Sequence, residues 1–504
     1  MAAFSSIDAL RFASGDQAII EMYADGIPAS LPLVGAYSRL GFHHPGPMLH
    51  YLVSLPVHLF GAYGMNLTAA AVAIACLAGL LMVMYRRGGQ PLFALAVVFA
   101  IILTRSMGLD VLSVWNPYIL IGPFALAVAL AWSVLCGDRS ALPWLAVVGS
   151  FVAQAHLGLM PSMGFLFAMA IGWVLFDSIG RHGDAPSERS TVARPGWGRS
   201  ALLAGVLAVA LWIPPVVEQF VHHPGNISQI IESSGSGDSR LGLSRALGVL
   251  GLLLGRVDPL RLNSTSDLRI LEALHDGSIW WLAVPLAVLL ITVVLARRHH
   301  LAAQARLGVV LAGLVVAAAV SFATITGLPY LYLERWVVVV SAFMWLNLVW
   351  TLLAVCLPDL EHRRLISGDP TTRRRSTLLL AGAGIGLILV ALVPLAETPG
   401  HTNDVRSSDA VASIIGTARS AVDGCDLVVV EPASTPLELQ VSSGVVAQLR
   451  HDGFDAVIAD AFAFAHGPQH SLRGRDADCR LVVGETGPAS DGRFPTFGVE
   501  LIRG

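Results

Sequence analysis

Residues 15–47 read GDQAIIEMYADGIPASLPLVGAYSRLGFHHPGP and gather side chains suited to acid, base and anion chemistry. Asp16 and Glu21 stand five positions apart; Asp25, Arg39 and the pair His43-His44 follow, the pair stiffened by Pro45 and Pro47. A carboxylate can take a proton from a hydroxyl, while a second carboxylate with a histidine can hold a divalent metal. The planar arginine fork suits a phosphate. An ordinary solvated loop carries the same residue types, so both readings stand at this point.

Other polar groups mark the ends of apolar runs. Trp115-Asn116-Pro117, Gln154-Ala155-His156, and Pro214-Pro215 followed by Glu218-Gln219 all lie where an apolar stretch gives way to a loop. Trp115 is expected there as an interfacial anchor. Gln154, His156 and Glu218 need partners or a water-filled cavity at such a depth. The tetrapeptide His-His-Pro-Gly occurs at His43–Gly46 and again at His222–Gly225. Its histidines suit a metal or a lipid phosphate, and chance recurrence with each pair capping a turn is the alternative. Glu334-Arg335 reads as a simple ion pair, or Arg335 as a phosphate holder. The candidate set for substrate or phosphate is therefore Arg39, His43, His44, Asn116, Gln154 and Arg335. Glu21, His156 and Glu218 are the candidate ligands of a divalent metal.

These residues are carried by an integral membrane protein. Of 504 residues 55% are hydrophobic and 13% charged, against roughly 25% charged in soluble domains. Mean hydropathy is +0.67. A net charge of −3 with no basic stripe argues against a nucleic-acid partner. All 32 basic residues are arginine, as a GC-rich genome would encode them. Apolar periodicity and length predict ten spans: 66–85, 91–104, 118–136, 141–156, 161–179, 201–217, 278–296, 307–327, 337–357 and 378–396. Residues 49–64 and 246–255 are too short or too interrupted to cross and are expected in the interface.

Placing Arg86-Arg87 in the cytoplasm sends the other arginine-dense short loops there too, as the positive-inside rule demands. The opening segment, the loop at Trp115, the turn after His156, residues 218–277 and the C-terminal region then lie outside. The predicted fold class is an all-α polytopic bundle with interfacial helices and a small C-terminal extracytoplasmic α/β domain. Its parts are an external loop with interfacial helices at 1–65, the multi-span domain at 66–396 and the α/β domain at 397–504. In that last part, residues 426–430, 456–459 and 480–483 read as short buried strands with a helix around 437–449. No Gly-rich phosphate loop is present there. Cys425 and Cys479 are the cysteines outside apolar runs and are able to pair in an exported domain.

The strings GDQAIIE and YSRLGFHHPGP, an acidic first external loop followed by interfacial helices and a many-span bundle, resemble the GT-C superfamily of polyprenyl-phosphate-sugar-dependent glycosyltransferases. The likeness covers roughly residues 15–357 and is nearest to bacterial protein mannosyltransferases and aminoarabinose transferases. It implies a lipid-linked sugar donor, an extracytoplasmic glycan, lipid or protein acceptor, a site in the cytoplasmic membrane, and Asp16 as the catalytic base. The family has a membrane span before this loop, so the resemblance predicts a further span encoded upstream of Met1. A transporter or lipid flippase, and a non-catalytic envelope scaffold, are the competing readings. A transporter would favour ionisable groups near the bilayer midplane, whereas the polar residues here sit at span ends.

Overall fold

In the computed structural model the described residues are 12–107, 110–111, 113–183, 196–235, 240–255, 279–327, 329–357, 386, 403–487 and 495–503. The chain opens with α1 (Gly15–Asp25), α2 (Met48–Phe60) and α3 (Gly64–Met107). Next come α4 (Asn116–Leu135), α5 (Ala141–Ala155), α6 (Met160–Gly183) and α7 (Gly198–Val221). The shorter α8 (Asn226–Gly235) and α9 (Leu243–Gly255) lead to α10 (Ala283–Arg298), α11 (Ala302–Ala323) and α12 (Val337–Cys356).

Among the described residues, seven stretches are long and apolar enough to cross a membrane. They reconcile with the ten predicted spans. Spans 66–85 and 91–104 both belong to α3, which breaks at Gly89 with φ 65° and ψ −157°, a conformation that only glycine adopts freely. Leu77 and Leu103 line one small apolar cavity, together with Phe343 of α12. A straight helix would hold those two leucines about 39 Å apart, so α3 doubles back as a hairpin. The second difference is α5, at 15 residues shorter than a full span. The predicted span 378–396 lies outside the described residues apart from residue 386. The chain is a multi-pass membrane protein.

The bundle is organised around α4, of whose apolar window 89% is buried, whereas only 11% of the window of α7 is. Leu202, Val206, Val209 and Ile213 of α7 face outward, as lipid-facing side chains do where the solvent is hydrocarbon. Ala246, Val249, Leu250 and Leu254 of α9, the segment expected in the interface, enter the main core. At one end of the bundle Arg87 pairs with Asp138 at 2.9 Å and the Arg139 guanidinium lies over Trp197. Three of the predicted arginine-rich loops thus share a face.

The C-terminal part contains α13 (Asn403–Ala421), β1 (Val428–Pro432), α14 (Pro436–His451), β2 (Ala456–Ile458), β3 (Cys479–Gly487) and β4 (Thr496–Arg503). The strands form one sheet in the order β2-β1-β3-β4, parallel except for the β3–β4 pair. The three predicted strands and the helix are present; α13 and β4 were not foreseen. A disulfide joins Cys425 to Cys479, with Cα atoms 6.0 Å apart.

Between the two parts lies α1. Ile20 and Ala24 belong to the core of the bundle, while Ala18, Ile19, Met22 and Tyr23 belong to the core of the α/β part with Val411, Val441 and Val445. The helix that carries Asp16 is therefore clamped from both sides.

Candidate active site

The loop after α1 closes on itself. The His44 N–H donates to the Ala36 carbonyl (2.8 Å), the Gly35 N–H to the His44 carbonyl (2.9 Å), and the Ser38 N–H to the Phe42 carbonyl (2.8 Å). Residues 37–42 project from this clasp as a finger. Gly35 allows the approach, since a Cβ there would meet the Gly46 carbonyl oxygen at 2.7 Å.

The finger meets Asp16, the Trp115 loop, the turn at His156 and residues 321–333 around a cavity of about 230 Å³. Asp16, Arg39, His44, Asn116 and His156, drawn from four separate stretches of sequence, all line it. Asp16 sits in the first turn of α1, where the helix dipole favours a carboxylate. The Trp115 indole N–H donates to its Oδ2 at 2.9 Å. Asp16 is open to water through the cavity. The surrounding protein nonetheless crowds it enough to push the carboxyl above its ordinary range, with the Trp115 hydrogen bond acting the other way.

Opposite groups supply donors. Arg39 reaches across the site, donating from Nη2 to the Thr326 carbonyl at 2.9 Å with its guanidinium 5.0 Å from the centre of the Tyr330 ring. The rings of His44 and His156 stack with centroids 5.1 Å apart. The Nδ1 of His44 accepts the Leu157 N–H and the Nδ1 of His156 accepts the Gly158 N–H, each at 3.1 Å. Gly158 is pinned there: a Cβ would fall 2.9 Å from His156 Cε1, and its carbonyl accepts from Ser321 Oγ at 2.6 Å.

The remaining candidates brace the site through contacts of their own. Asn116 lines the cavity, but its Nδ2 donates to the Ala155 carbonyl at 3.0 Å and so closes the end of α5. Gln154, fully buried, donates to the Leu211 carbonyl at 2.8 Å and packs where any Gly46 side chain would sit. His43 turns its backbone to Asn226, which accepts its N–H and donates to its carbonyl, both at 2.9 Å. Glu218 Oε2 accepts the Asn226 N–H at 2.8 Å, and Oε1 lies 3.6 Å from His222 Nδ1. The two His-His-Pro-Gly copies are thus joined through Asn226 and Glu218.

Arg335 does not pair with Glu334. It pairs with Asp110 at 2.6 Å under the Tyr118 ring, because the helical turn at 331–334 sends consecutive side chains in different directions. Glu334 is left fully buried with both oxygens unpaired, and burial pushes its carboxyl well above the usual range. Glu21 is also buried without a partner, at about 8, by burial and then by Asp25.

Of the candidate metal ligands only His156 lines the cavity; Glu21 is buried without a partner and Glu218 accepts the Asn226 N–H. Among the described residues, the group of acidic, cysteine or histidine ligands close enough to share an ion is Cys425, Asp478 and Cys479, and its two sulfurs already form the disulfide. In the C-terminal sheet, the N-terminus of α14 is filled by the chain's own Glu438, which accepts the N–H groups of Ser434, Thr435 and Glu485 at 2.5, 2.6 and 3.0 Å. Sequence reasoning missed the role of Trp115 in orienting Asp16. The signal was present in Trp115-Asn116-Pro117, but 99 residues separate the partners.

No protein-family model matches the chain, and no curated protein matches it. Among solved structures, ArnT from Cupriavidus metallidurans bound to undecaprenyl phosphate matches with a TM-score of 0.52 and 12% identity, over 96% of this chain and 91% of that one. The apo state of ArnT from the same organism matches with a TM-score of 0.47 and 13% identity over the same shares. Over nearly its whole length, this chain shares the fold of ArnT.

Proposed function

We propose that the chain is a membrane glycosyltransferase, moving a sugar from a polyprenyl phosphate donor to an acceptor outside the cytoplasmic membrane in the assembly of an envelope glycan or glycoconjugate. The observation that carries this reading is the meeting of Asp16 with Arg39, His44 and His156 around one cavity at the ends of the spans. The binding of undecaprenyl phosphate by the similarly folded ArnT favours a donor of that class. External chemistry favours it as well, because nucleotide sugars are cytoplasmic.

In the proposed reaction the acceptor hydroxyl oxygen attacks the anomeric carbon while Asp16 takes its proton. The bond from that carbon to the phosphate oxygen breaks, and its electron pair leaves with the polyprenyl phosphate. Arg39 supplies positive charge to the departing oxygens. A carboxyl held above its usual range is a stronger base once ionised, and such a base contributes roughly 10²- to 10⁴-fold in rate. The test is sugar transfer by purified protein from a polyprenyl-phosphate sugar. Asp16→Asn should fold and bind the donor yet transfer about 10²-fold more slowly or worse. Transfer at the parent rate would remove the assignment and return the chain to the transporter reading.

A further inference from the structure

Two buried imidazoles in the cavity have their protonation pattern set by backbone. His44 is 9% exposed and His156 4% exposed. Each Nδ1 faces a backbone N–H, that of Leu157 or of Gly158, and must therefore offer a lone pair. The tautomer follows: in the neutral ring the proton sits on Nε2. Neither Nε2 has a hydrogen-bond partner among the described residues, and neither is among the buried nitrogens sealed from solvent. Both rings line the cavity, so both open toward it.

From this geometry we infer that His44 and His156 form an uncharged phosphate-oxygen site, in which two parallel Nε2–H donors bind the phosphoryl group of the donor. The identity of that ligand rests on the glycosyltransferase reading; the donor character of the rings does not. A metal on Nε2 would drive the proton to Nδ1, directly against a backbone N–H, which excludes the ligand role predicted for His156. A doubly protonated pair is opposed by the same two N–H groups and by the 5.1 Å stacking of like charges. Burial, then His156 and His43, holds His44 well below the ordinary imidazole range. Neutral donors suit a leaving phosphate that must be released afterwards, leaving Arg39 as the full charge facing it.

The experiment measures binding, not turnover, on the full chain in lipid nanodiscs. The probe is methyl farnesyl phosphate, a diester whose single charge is constant from pH 5 to 8. The Asp16→Asn background removes the carboxyl that lines the cavity, and His43, outside the lining, is pushed down to about 4 by burial. Affinity should stay within about threefold from pH 8 to pH 5 and should be unchanged by EDTA. Tightening of about tenfold as pH falls through 6.5 would overturn the proposal in favour of imidazolium, and loss with EDTA restored by Mn²⁺ would overturn it in favour of a metal.

Glutamine keeps an N–H near the place of Nε2 and leucine does not. His44→Gln and His156→Gln should bind the probe within about threefold of the parent, while the leucine variants should weaken it about tenfold or more. Glutamine variants as weak as leucine ones, with parent-like melting, would overturn the proposal; if the leucine variants do not fold, the pH and chelator measurements decide. Inorganic phosphate should displace the probe and farnesol should not, and the opposite result also overturns it. The relative potency of phosphate and the diester tells a free anion site from a lipid headgroup site. A chain that binds in this way but transfers no sugar would refute the proposed function alone.

Discussion

Asp16 owes its candidate role to its neighbours. The Trp115 indole donates to the ionised carboxylate and so opposes the upward push of burial. Trp115→Phe keeps the ring and deletes the donor, so the carboxyl should titrate at higher pH. The acid limb of a pH profile of sugar transfer should then move to higher pH, with a greater loss at pH 6 than at pH 8.5; an unmoved limb would mean that the indole does not tune Asp16. Glu21 makes a stability prediction with its own sign. Its folded value of about 8 lies above the unfolded one, so the folded state keeps a proton that the unfolded state has released. Its stabilisation is complete below about pH 4.5 and is lost as pH rises to 8, at up to about 1.4 kcal/mol per pH unit. Glu21→Gln should flatten this part of the dependence of Tm on pH and raise Tm at pH 8 relative to the parent.

At the scale of elements, α1 decides most, because one short helix completes two hydrophobic cores. Ile19 faces the α/β core and Ile20 faces the bundle. Truncating either leaves a cavity worth about 2–5 kcal/mol, and the consequences should differ. Ile19→Ala should loosen the α/β part, seen as faster hydrogen exchange in α13 and α14, and should lower transfer by moving Asp16. Ile20→Ala should leave that exchange pattern intact. Equal exchange in the two variants would show that α1 is not divided as described. The hinge of α3 is another element-level device, where any side chain at Gly89 is strained and would favour a straight helix that cannot pack.

For the whole molecule, the cavity end and the arginine end of the bundle give it a polarity. We expect the cavity end and the C-terminal domain to be extracytoplasmic, consistent with a Cys425–Cys479 disulfide that oxidising compartments preserve. Alkaline phosphatase fused after Gly504 should be active, and a cytoplasmic phenotype for that fusion would reverse the orientation. The bridge closes a loop with a sequence separation of 54. Cys425→Ser with Cys479→Ser should cost the α/β domain about 2–5 kcal/mol, read as a lower Tm and earlier proteolysis of that domain.

The sequence by itself determined the class of molecule. Hydropathy written in runs of about 20 residues can satisfy the backbone in a bilayer only as helices, so the spans and the change to an α/β part after them are local properties of the chain. The positions of the strands at 428–432, 456–458 and 479–487 follow from short β-branched runs for the same reason. Asp16, Arg39, His44 and His156 were legible as residue types at span ends. Tertiary structure alone decided which of them share a cavity, because that depends on contacts between segments far apart in the sequence. It also decided that Arg335 serves Asp110, that Glu218 serves Asn226, that Gly89 folds two spans into one hairpin, and that α1 belongs to two cores. Those outcomes depend on which partner each side chain meets once the helices pack, and no periodicity along the chain encodes that choice.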